Sequence, residues 1–308
     1  MKDFEKFYKY DILYFMPVLR ETRSVFAPAK VNLHLSVKDR RQDGFHNIES
    51  VFLAVNFGDT LYFDVLRGEN TVKIDMQGLK SPLPPEENII FKAVSLFREK
   101  TGFNRGLKIR VKKRIPLGGG LGGGSSDAAA ALLTLNKLAD SPCRREDLLE
   151  MAGVLGSDVP FFIHEIPAAL VTGRGESILP LKSPKLPLVL VNPGFHSETS
   201  AAYKLIDENR TSAQTGKINR FINKDEFDEK DFSLFTNDFL NFFPEPQKSV
   251  YNEIIAKLRE FGAKYANLSG SGATCFGVFT DRGQAKKAVK ALRKKWSFVR
   301  ECSSIMRN

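Results

Sequence analysis

The chain has 308 residues, 42% hydrophobic and 27% charged, the balance of an ordinary globular protein rather than a disordered or fibrous one. Its net charge of +10 would suit nucleic acid, an anionic membrane or an acidic small molecule, but no RNP, zinc-finger or basic-zipper pattern accompanies it, so nucleic acid is not expected. Three cysteines without a CxxC pair or a His/Cys cluster argue against a disulfide framework and a structural zinc site, and point to a reducing, cytoplasmic setting.

Residues 1–23 stand apart as an N-terminal extension. Their one apolar stretch, "ILYFMPVL", is too short to span a membrane, and Pro17 interrupts it. No other apolar run approaches spanning length, so no membrane partner is expected. "AKVNLHLSVK" then alternates strictly, with Val31, Leu33, Leu35 and Val37 on one side and Lys30, Asn32, His34 and Ser36 on the other. "SVFLAVNF" and "DTLYFDV" read as two strands turned at Gly58. "EENIIFKAVSLFREK" has helical spacing with a stop at Gly102. "GLKIRVKKRI" alternates and feeds a glycine loop. A helix from Ser125 to about Leu138 follows, then another at "REDLLEMAGVL", then strands near "AALVT" and "LPLVLVNP".

The prolines of "LPLKSPKLP" mark a lobe boundary, and Thr211 to Asp231 reads as a polar connection with a short helix. The remainder reads helix, strand, strand, helix, strand, from "QKSVYNEIIAKLREFG" to "SFVREC". That order predicts helices on one side of a mainly antiparallel sheet, an α+β arrangement. The basic run Lys286 to Trp296 reads as a solvated helix face.

The loop at 116–126, "PLGGGLGGGSS", places six glycines in seven positions directly before an alanine-rich helix. Gly118, Gly120 and Gly123 satisfy a dinucleotide fingerprint, but a second helix follows where that motif needs a parallel strand. A Walker A loop needs Gly-Lys-Ser/Thr, and no lysine follows Gly124. What remains is a phosphate cradle of another type. Glycines let backbone N–H groups approach an anion, the helix start adds unpaired amides and a positive dipole end, and Ser125 and Ser126 offer caps and hydroxyls. A flexible linker fits worse between a buried-looking strand and such a helix.

This loop resembles the nucleotide-binding motif of the GHMP kinase superfamily. "PAKVNLHL" at 28–35 resembles its N-terminal motif, and "LSGSGATCFGVF" at 268–279 its C-terminal glycine motif. "RRQDGFHNIESVF", "GLGGGSSDAAA" and "GSDVPFF" resemble the branch that phosphorylates the 2-hydroxyl of 4-diphosphocytidyl-2-C-methyl-D-erythritol, in the non-mevalonate isoprenoid pathway. The likeness runs from Ser24 onward. It implies a two-lobed α+β fold, with a ribosomal-protein-S5-like N-terminal lobe over 24–182 and a ferredoxin-like α/β sandwich lobe over 183–308. It implies ATP as co-substrate, held by Pro116, Leu117, Gly118, Gly119, Gly120, Leu121, Gly122, Gly123, Gly124, Ser125 and Ser126. Asp158 becomes the base and Lys30 the cation beside it that favours the developing alkoxide. By residue type alone, Asp158 reads first as a helix or turn cap and Lys30 as a surface charge at a strand start.

The resemblance also implies a substrate site of Asn32, Phe45, His46, Thr199 and Tyr203. Phe45 stands where the family usually has tyrosine, so stacking survives while a hydroxyl is lost. His46 is the expected reader of the cytosine edge, and His34 a structural histidine. Ser157 stands where the family has alanine. Ser269, Gly270, Ser271 and Gly272 are expected to close the site near the phosphates, although a plain hairpin turn fits the same residues. Phosphoryl transfer implies Mg²⁺ through Ser125 or Ser126 and the phosphates, with no acidic ligand pattern behind it. The expected partners are ATP and the small-molecule substrate, in a monomer or weak homodimer. Another small-alcohol kinase of the superfamily, of homoserine or mevalonate type, is the alternative enzyme. A catalytically silent nucleotide-binding protein is the alternative class, and retention of Lys30 and Asp158 argues against it.

Overall fold

The computed structural model describes residues 22–66, 68, 70–78, 84–209 and 226–306. The extension up to residue 21 and most of the polar connection, 210–225, lie outside the described residues.

Alternating side chains make Thr22–Arg40 the first strand, β1, which runs antiparallel to β2, His46–Leu66. The turn expected at Gly58 is absent, and β2 continues through it. The register slips there, and a side chain at Gly58 would run into the Ala27 carbonyl. Gly58 is a bulge that lets two backbones close up. A second bulge has a larger consequence. Asn32 pairs with Phe52 and His34 with Val51, so Leu33 is an extra residue. One extra residue exchanges the two faces of a strand. Lys30 and Asn32 therefore share a face with Leu35, whereas His34 crosses to the opposite one, 6.2 Å from the Phe235 ring. The expectation of one shared polar face for Lys30, Asn32 and His34 is corrected accordingly.

The first sheet continues with β3, Val72–Gln77. Helix α1, Ile89–Thr101, starts on the Asn88 side chain, which accepts from the Ile90 N–H, and stops at left-handed Gly102 as predicted. Next come β4, Gly106–Lys112, and three helices: α2, Gly123–Leu138, α3, Arg145–Leu155, and α4, Val159–Ile163. Strands β5, Ala168–Gly173, and β6, Ser177–Leu181, complete the order β3-β4-β2-β5-β6, with β1 paired to β2. The short elements β3, α4 and β6 carry too little periodicity to be read in advance.

The second sheet begins with β7, Pro187–Asn192. Helix α5, Thr199–Asn209, a 3-10 turn at Glu229–Leu234, α6, Phe239–Phe242, and α7, Gln247–Glu260, lead to β8, Tyr265–Leu268. Strand β9, Cys275–Val278, α8, Arg282–Leu292, and β10, Phe298–Ser303, follow. The strand order β10-β7-β9-β8 is antiparallel throughout and corresponds to the 4-1-3-2 order of a ferredoxin-like sandwich.

Period-two alternation builds the core. Leu188 and Leu190 pack with Val31, Leu33, Val51 and Leu53, which joins the two sheets face to face. Val189 and Val191 point the other way, into a core shared with Ile254 and Leu258 of α7 and with Ala288 of α8. Each such fully buried aliphatic side chain contributes roughly 1.5–3 kcal/mol. The alanines 128–131 are buried, and their small side chains let α2 pack against β1, α1 and α4. The glycine loop is thereby held at the edge where the two sheets meet.

Candidate active site

The carbonyls of the glycine loop are occupied from one side. Gly118 O accepts from the N–H groups of Ala273 and Ser197, both at 3.3 Å, and Gly119 O from Thr274 N–H at 3.1 Å. Gly120 O accepts from Ser269 Oγ at 2.9 Å. In a trans peptide the next N–H points opposite to the carbonyl. The amides of Gly119, Gly120 and Leu121 thus point away from the second glycine turn. That turn is itself held by Asn237, whose Nδ2 donates to the carbonyls of Leu268 and Gly270. Gly120 must be glycine on two counts: its φ is +72°, and a Cβ would enter the Ser269 carbonyl.

Helix α2 begins two residues earlier than predicted. Gly122, at φ 68°, is its N-cap, with no side-chain cap. Ser125 and Ser126 lie inside the first turn and cap nothing. The first-turn amides of Gly123, Gly124 and Ser125 have no partner within the helix, whereas Ser126 N–H already reaches Gly122 O at 2.9 Å. The serines also diverge. Ser125 lines a cleft of about 440 Å³ formed with the loop, Lys30 and Asp158. Ser126 faces a separate cavity behind the helix, beside Phe161 and Phe162, and its buried hydroxyl has no partner.

Lys30 Nζ lies 3.1 Å from Asp158 Oδ2 and 2.7 Å from Asn32 Oδ1, and 4.6 Å above the Phe52 ring. It is buried to 4% exposure, so it is no surface charge. Asp158 occupies the N-cap position of α4, yet its side chain makes no capping bond. The carboxylate turns to Lys30 instead and remains 28% exposed, open to the cleft. Gly122 leaves room for the lysine stem, since a Cβ there would sit 3.0 Å from Lys30 Cγ.

The far end is built from side chains. Tyr203 lines the cleft, stacks on His46 at 5.1 Å and 14°, and meets Phe239 edge-on. Burial, with the Asp158 charge added, pushes the Tyr203 phenol up to about 12. His46 Nε2 is 2.8 Å from Asp207 Oδ1. Thr199 Oγ1 is 3.1 Å from Ser271 Oγ, tying α5 to the second glycine turn. Phe45 is 51% exposed, and the Arg174 guanidinium sits 4.1 Å over its ring.

Models of the GHMP kinase N-terminal and C-terminal domains match residues 88–165 and 226–297. The 4-diphosphocytidyl-2-C-methyl-D-erythritol kinase of Thermodesulfovibrio yellowstonii is 37% identical, over 88% of this chain and 94% of its own. That of Treponema pallidum is 36% identical, over 92% and 99%. This chain belongs to the 4-diphosphocytidyl-2-C-methyl-D-erythritol kinase family. A crystal structure of a 4-(cytidine 5'-diphospho)-2C-methyl-D-erythritol kinase superposes with a TM-score of 0.74 at 31% identity, covering 91% of this chain and 98% of that one. The mevalonate kinase of Methanococcus jannaschii shares the fold alone, at TM-score 0.68 and 13% identity, covering 94% of this chain and 99% of its own.

Membership in this kinase family makes the chain an ATP-dependent small-molecule kinase of two-lobed GHMP fold. No helix among the described residues is long and apolar enough to cross a membrane. Several residues around this kinase site escaped the sequence reading. Lys113 lines the cleft and binds Asp59 and, at 2.7 Å, Asp127. Burial, opposed by the Lys113 ammonium and reinforced by Asp59, raises the Asp127 carboxyl to about 7. Asp59 also accepts from the N–H groups of Arg114 and Ile115, which fixes the approach to the loop. Nothing local marks the cluster, because Asp59 comes from β2, Lys113 from just beyond β4 and Asp127 from α2. Asp207 lies four residues beyond Tyr203, which places the two on one face of α5 once that helix is known.

Proposed function

We propose that this enzyme transfers the γ-phosphoryl group of ATP to 4-diphosphocytidyl-2-C-methyl-D-erythritol, the substrate in its relatives' names, at the 2-hydroxyl that the motif resemblance implies. One observation supports it above the rest. The Lys30–Asp158 pair lies in one cleft with the glycine loop, and the aromatic wall of Tyr203 lines the same cleft. Phosphoryl transfer needs little covalent work from the protein and much positioning. The amides of Gly119 to Ser125 grip the triphosphate. Asp158 takes the proton of the 2-hydroxyl as its oxygen bonds to the γ-phosphorus. The bond from that phosphorus to the β–γ bridging oxygen breaks, and ADP leaves. Lys30 lies against the site of proton transfer and stabilises the alkoxide charge as it develops. Asn32 orients the Lys30 ammonium. Phe45, His46, Thr199 and Tyr203 hold the cytidine end, and Ser269 to Gly272 brace the loop.

Mg²⁺ belongs to the proposal. Among the described residues no three His, Cys, Asp or Glu side chains gather to hold a metal ion. The hydroxyl of Ser125, on the cleft side of α2, would hold it together with substrate phosphates. Such a sparse donor set suits Mg²⁺, which dehydrates reluctantly and keeps several waters. When bound, it supplies neutralising charge on the phosphates. The proposal also keeps the lobe boundary at 182/183, a cytoplasmic setting and a monomer or weak homodimer; Cys143, Cys275 and Cys302 are all buried and free.

The test is ADP release in a coupled assay, with the diphosphocytidyl substrate set against homoserine and mevalonate. Turnover of the first alone is expected. Faster turnover of either of the others would overturn the substrate assignment.

A further inference from the structure

Helix α5 carries Thr199, Tyr203 and Asp207 four residues apart, so the three share one stripe. Thr199 anchors the stripe to the second glycine turn, and Tyr203 lines the cleft. Asp207 does neither. It reaches across to β2 and contacts the edge of the His46 ring, with Oδ1 2.8 Å from Nε2. Its other oxygen lies 3.8 Å from Arg40 Nη1. The His46 side chain is 6% exposed and Asp207 34%, so the contact is part-buried, sheltered from the histidine side. Stacking on Tyr203 fixes the plane of the ring, and Asp207 fixes its rotation within that plane. Nδ1 makes no hydrogen bond among the described residues.

A carboxylate can only accept, so the His46 nitrogen facing it carries the proton. In the neutral ring this leaves Nδ1 bare, an acceptor. Cytosine presents a 4-amino donor, whereas a 4-oxo pyrimidine such as uracil presents an acceptor at that position. A bare Nδ1 matches the first and opposes the second. We infer that Asp207 is a specificity-determining positioning residue, which fixes the His46 tautomer so that the site takes a 4-aminopyrimidine nucleotide and refuses a 4-oxo one. This rests on the proposed function, in which His46 reads the base.

Asp207→Asn tests the inference, because the amide can donate to Nε2 and let the proton move to Nδ1. The wild type should prefer the cytidine substrate over its uridine counterpart by about 100-fold in kcat/KM, the worth of a well-made base-edge contact. Asp207→Asn should cut that ratio about tenfold through KM, with kcat and the KM for ATP unchanged, and Asp207→Glu should restore it. ¹⁵N-histidine NMR of the full chain should show the Nε2–H tautomer in the wild type and Nδ1–H in Asp207→Asn. An unchanged ratio, as a merely structural role would give, overturns the inference. So does Nδ1–H in the wild type. If the wild type turned over neither pyrimidine substrate, the proposed function would fall. CMP against UMP binding, followed in the same spectra, would then decide Asp207 alone, with equal affinities counting against it.

Discussion

The two ends of the cleft are made of different material. At the phosphate end the proposed recognising groups are mainly backbone amides, and the side chains of the proposal are Lys30, Asp158, the Asn32 that orients the lysine and the Ser125 hydroxyl offered to Mg²⁺. Every loop carbonyl from Gly118 to Gly120 is tied into the protein, so the loop is set before a ligand arrives. At the base end the proposed recognition falls to side chains, Thr199 and Tyr203 of α5 and His46 of β2, with Phe45 half in solvent. Phosphate is spherical in its demands and can be met by repeated N–H groups. A base has an edge and a face, which need a specific donor pattern and a flat partner. Substitutions should therefore act through fold, kcat and ATP binding at one end and through the KM for the cytidine substrate at the other.

The largest effect is expected at Asp158. Asp158→Asn keeps the shape but removes the proton acceptor. Turnover should fall by about 10³-fold, within the range general bases contribute, while ATP still binds. A nucleotide titration alongside the rate assay checks both halves. Retained turnover would mean that the phosphate end works by positioning alone.

The glycines should divide sharply. Gly122→Ala places a Cβ in a left-handed backbone and against the Lys30 stem. About 2–3 kcal/mol of stability should be lost to backbone strain and crowding, visible in urea unfolding. Gly124→Ala meets only Ile89 Cγ2, at 3.7 Å, so the free protein should be no less stable. Its KM for ATP should nevertheless rise, because the Cβ obstructs an anion approaching the helix amides. An unchanged KM would show that Gly124 is not used for close approach.

This division marks what the sequence could tell. The loop and the second glycine turn are legible because backbone recognition needs runs of glycine that no ordinary core requires, whereas Lys30 and Asp158 stand out only through the family resemblance. The C-terminal alternation of helices and strands was legible because each element is long and periodic. The bulge at Leu33 was not, since the alternation continues through it and only the pairing with β2 reveals the extra residue. It placed His34 on the wrong face. Gly58 failed for a related reason: a glycine between two apolar runs marks a turn or a bulge equally well. The Asp59–Lys113–Asp127 cluster stayed hidden because it forms between residues 14 to 54 positions apart. Ser126 could not be separated from Ser125 until the helix start was known, for one residue turns a side chain about 100° around a helix.

The correction at His34 yields a smaller prediction about the strand that carries Lys30. His34 Nδ1 accepts from Thr236 N–H at 3.0 Å, and Nε2 is buried without a partner. Burial, with the Lys38 charge added, lowers the imidazole to about 3 from its usual 6.5. The unfolded chain therefore binds the proton first as pH falls. The stability contributed by the neutral ring is present above pH 6.5 and is lost progressively down to pH 3. Between pH 7 and 5 the loss should be about 2 kcal/mol. His34→Asn, whose Oδ1 can accept from Thr236, should flatten that slope in thermal melts. Titration of the phosphate end's own charges would be implicated if the slope persisted.

The smallest effect belongs to the base end and sharpens the contrast best. Phe45→Ala removes one stacking face, which should raise the KM for the cytidine substrate about tenfold, at the low end of the range for base stacking. Neither kcat nor the KM for ATP should move. Phe45→Tyr supplies the hydroxyl common in the family and should change KM by no more than about twofold, since stacking is retained. Arg174 complicates the site, because its guanidinium already covers one face of the ring at 4.1 Å. The base must take the other face or displace the arginine. Arg174→Ala separates these routes: a lower KM means that Arg174 competes with the base, and a higher one means that it backs the stack. A fall in kcat with Phe45→Ala would join the two ends mechanically and break the contrast between them.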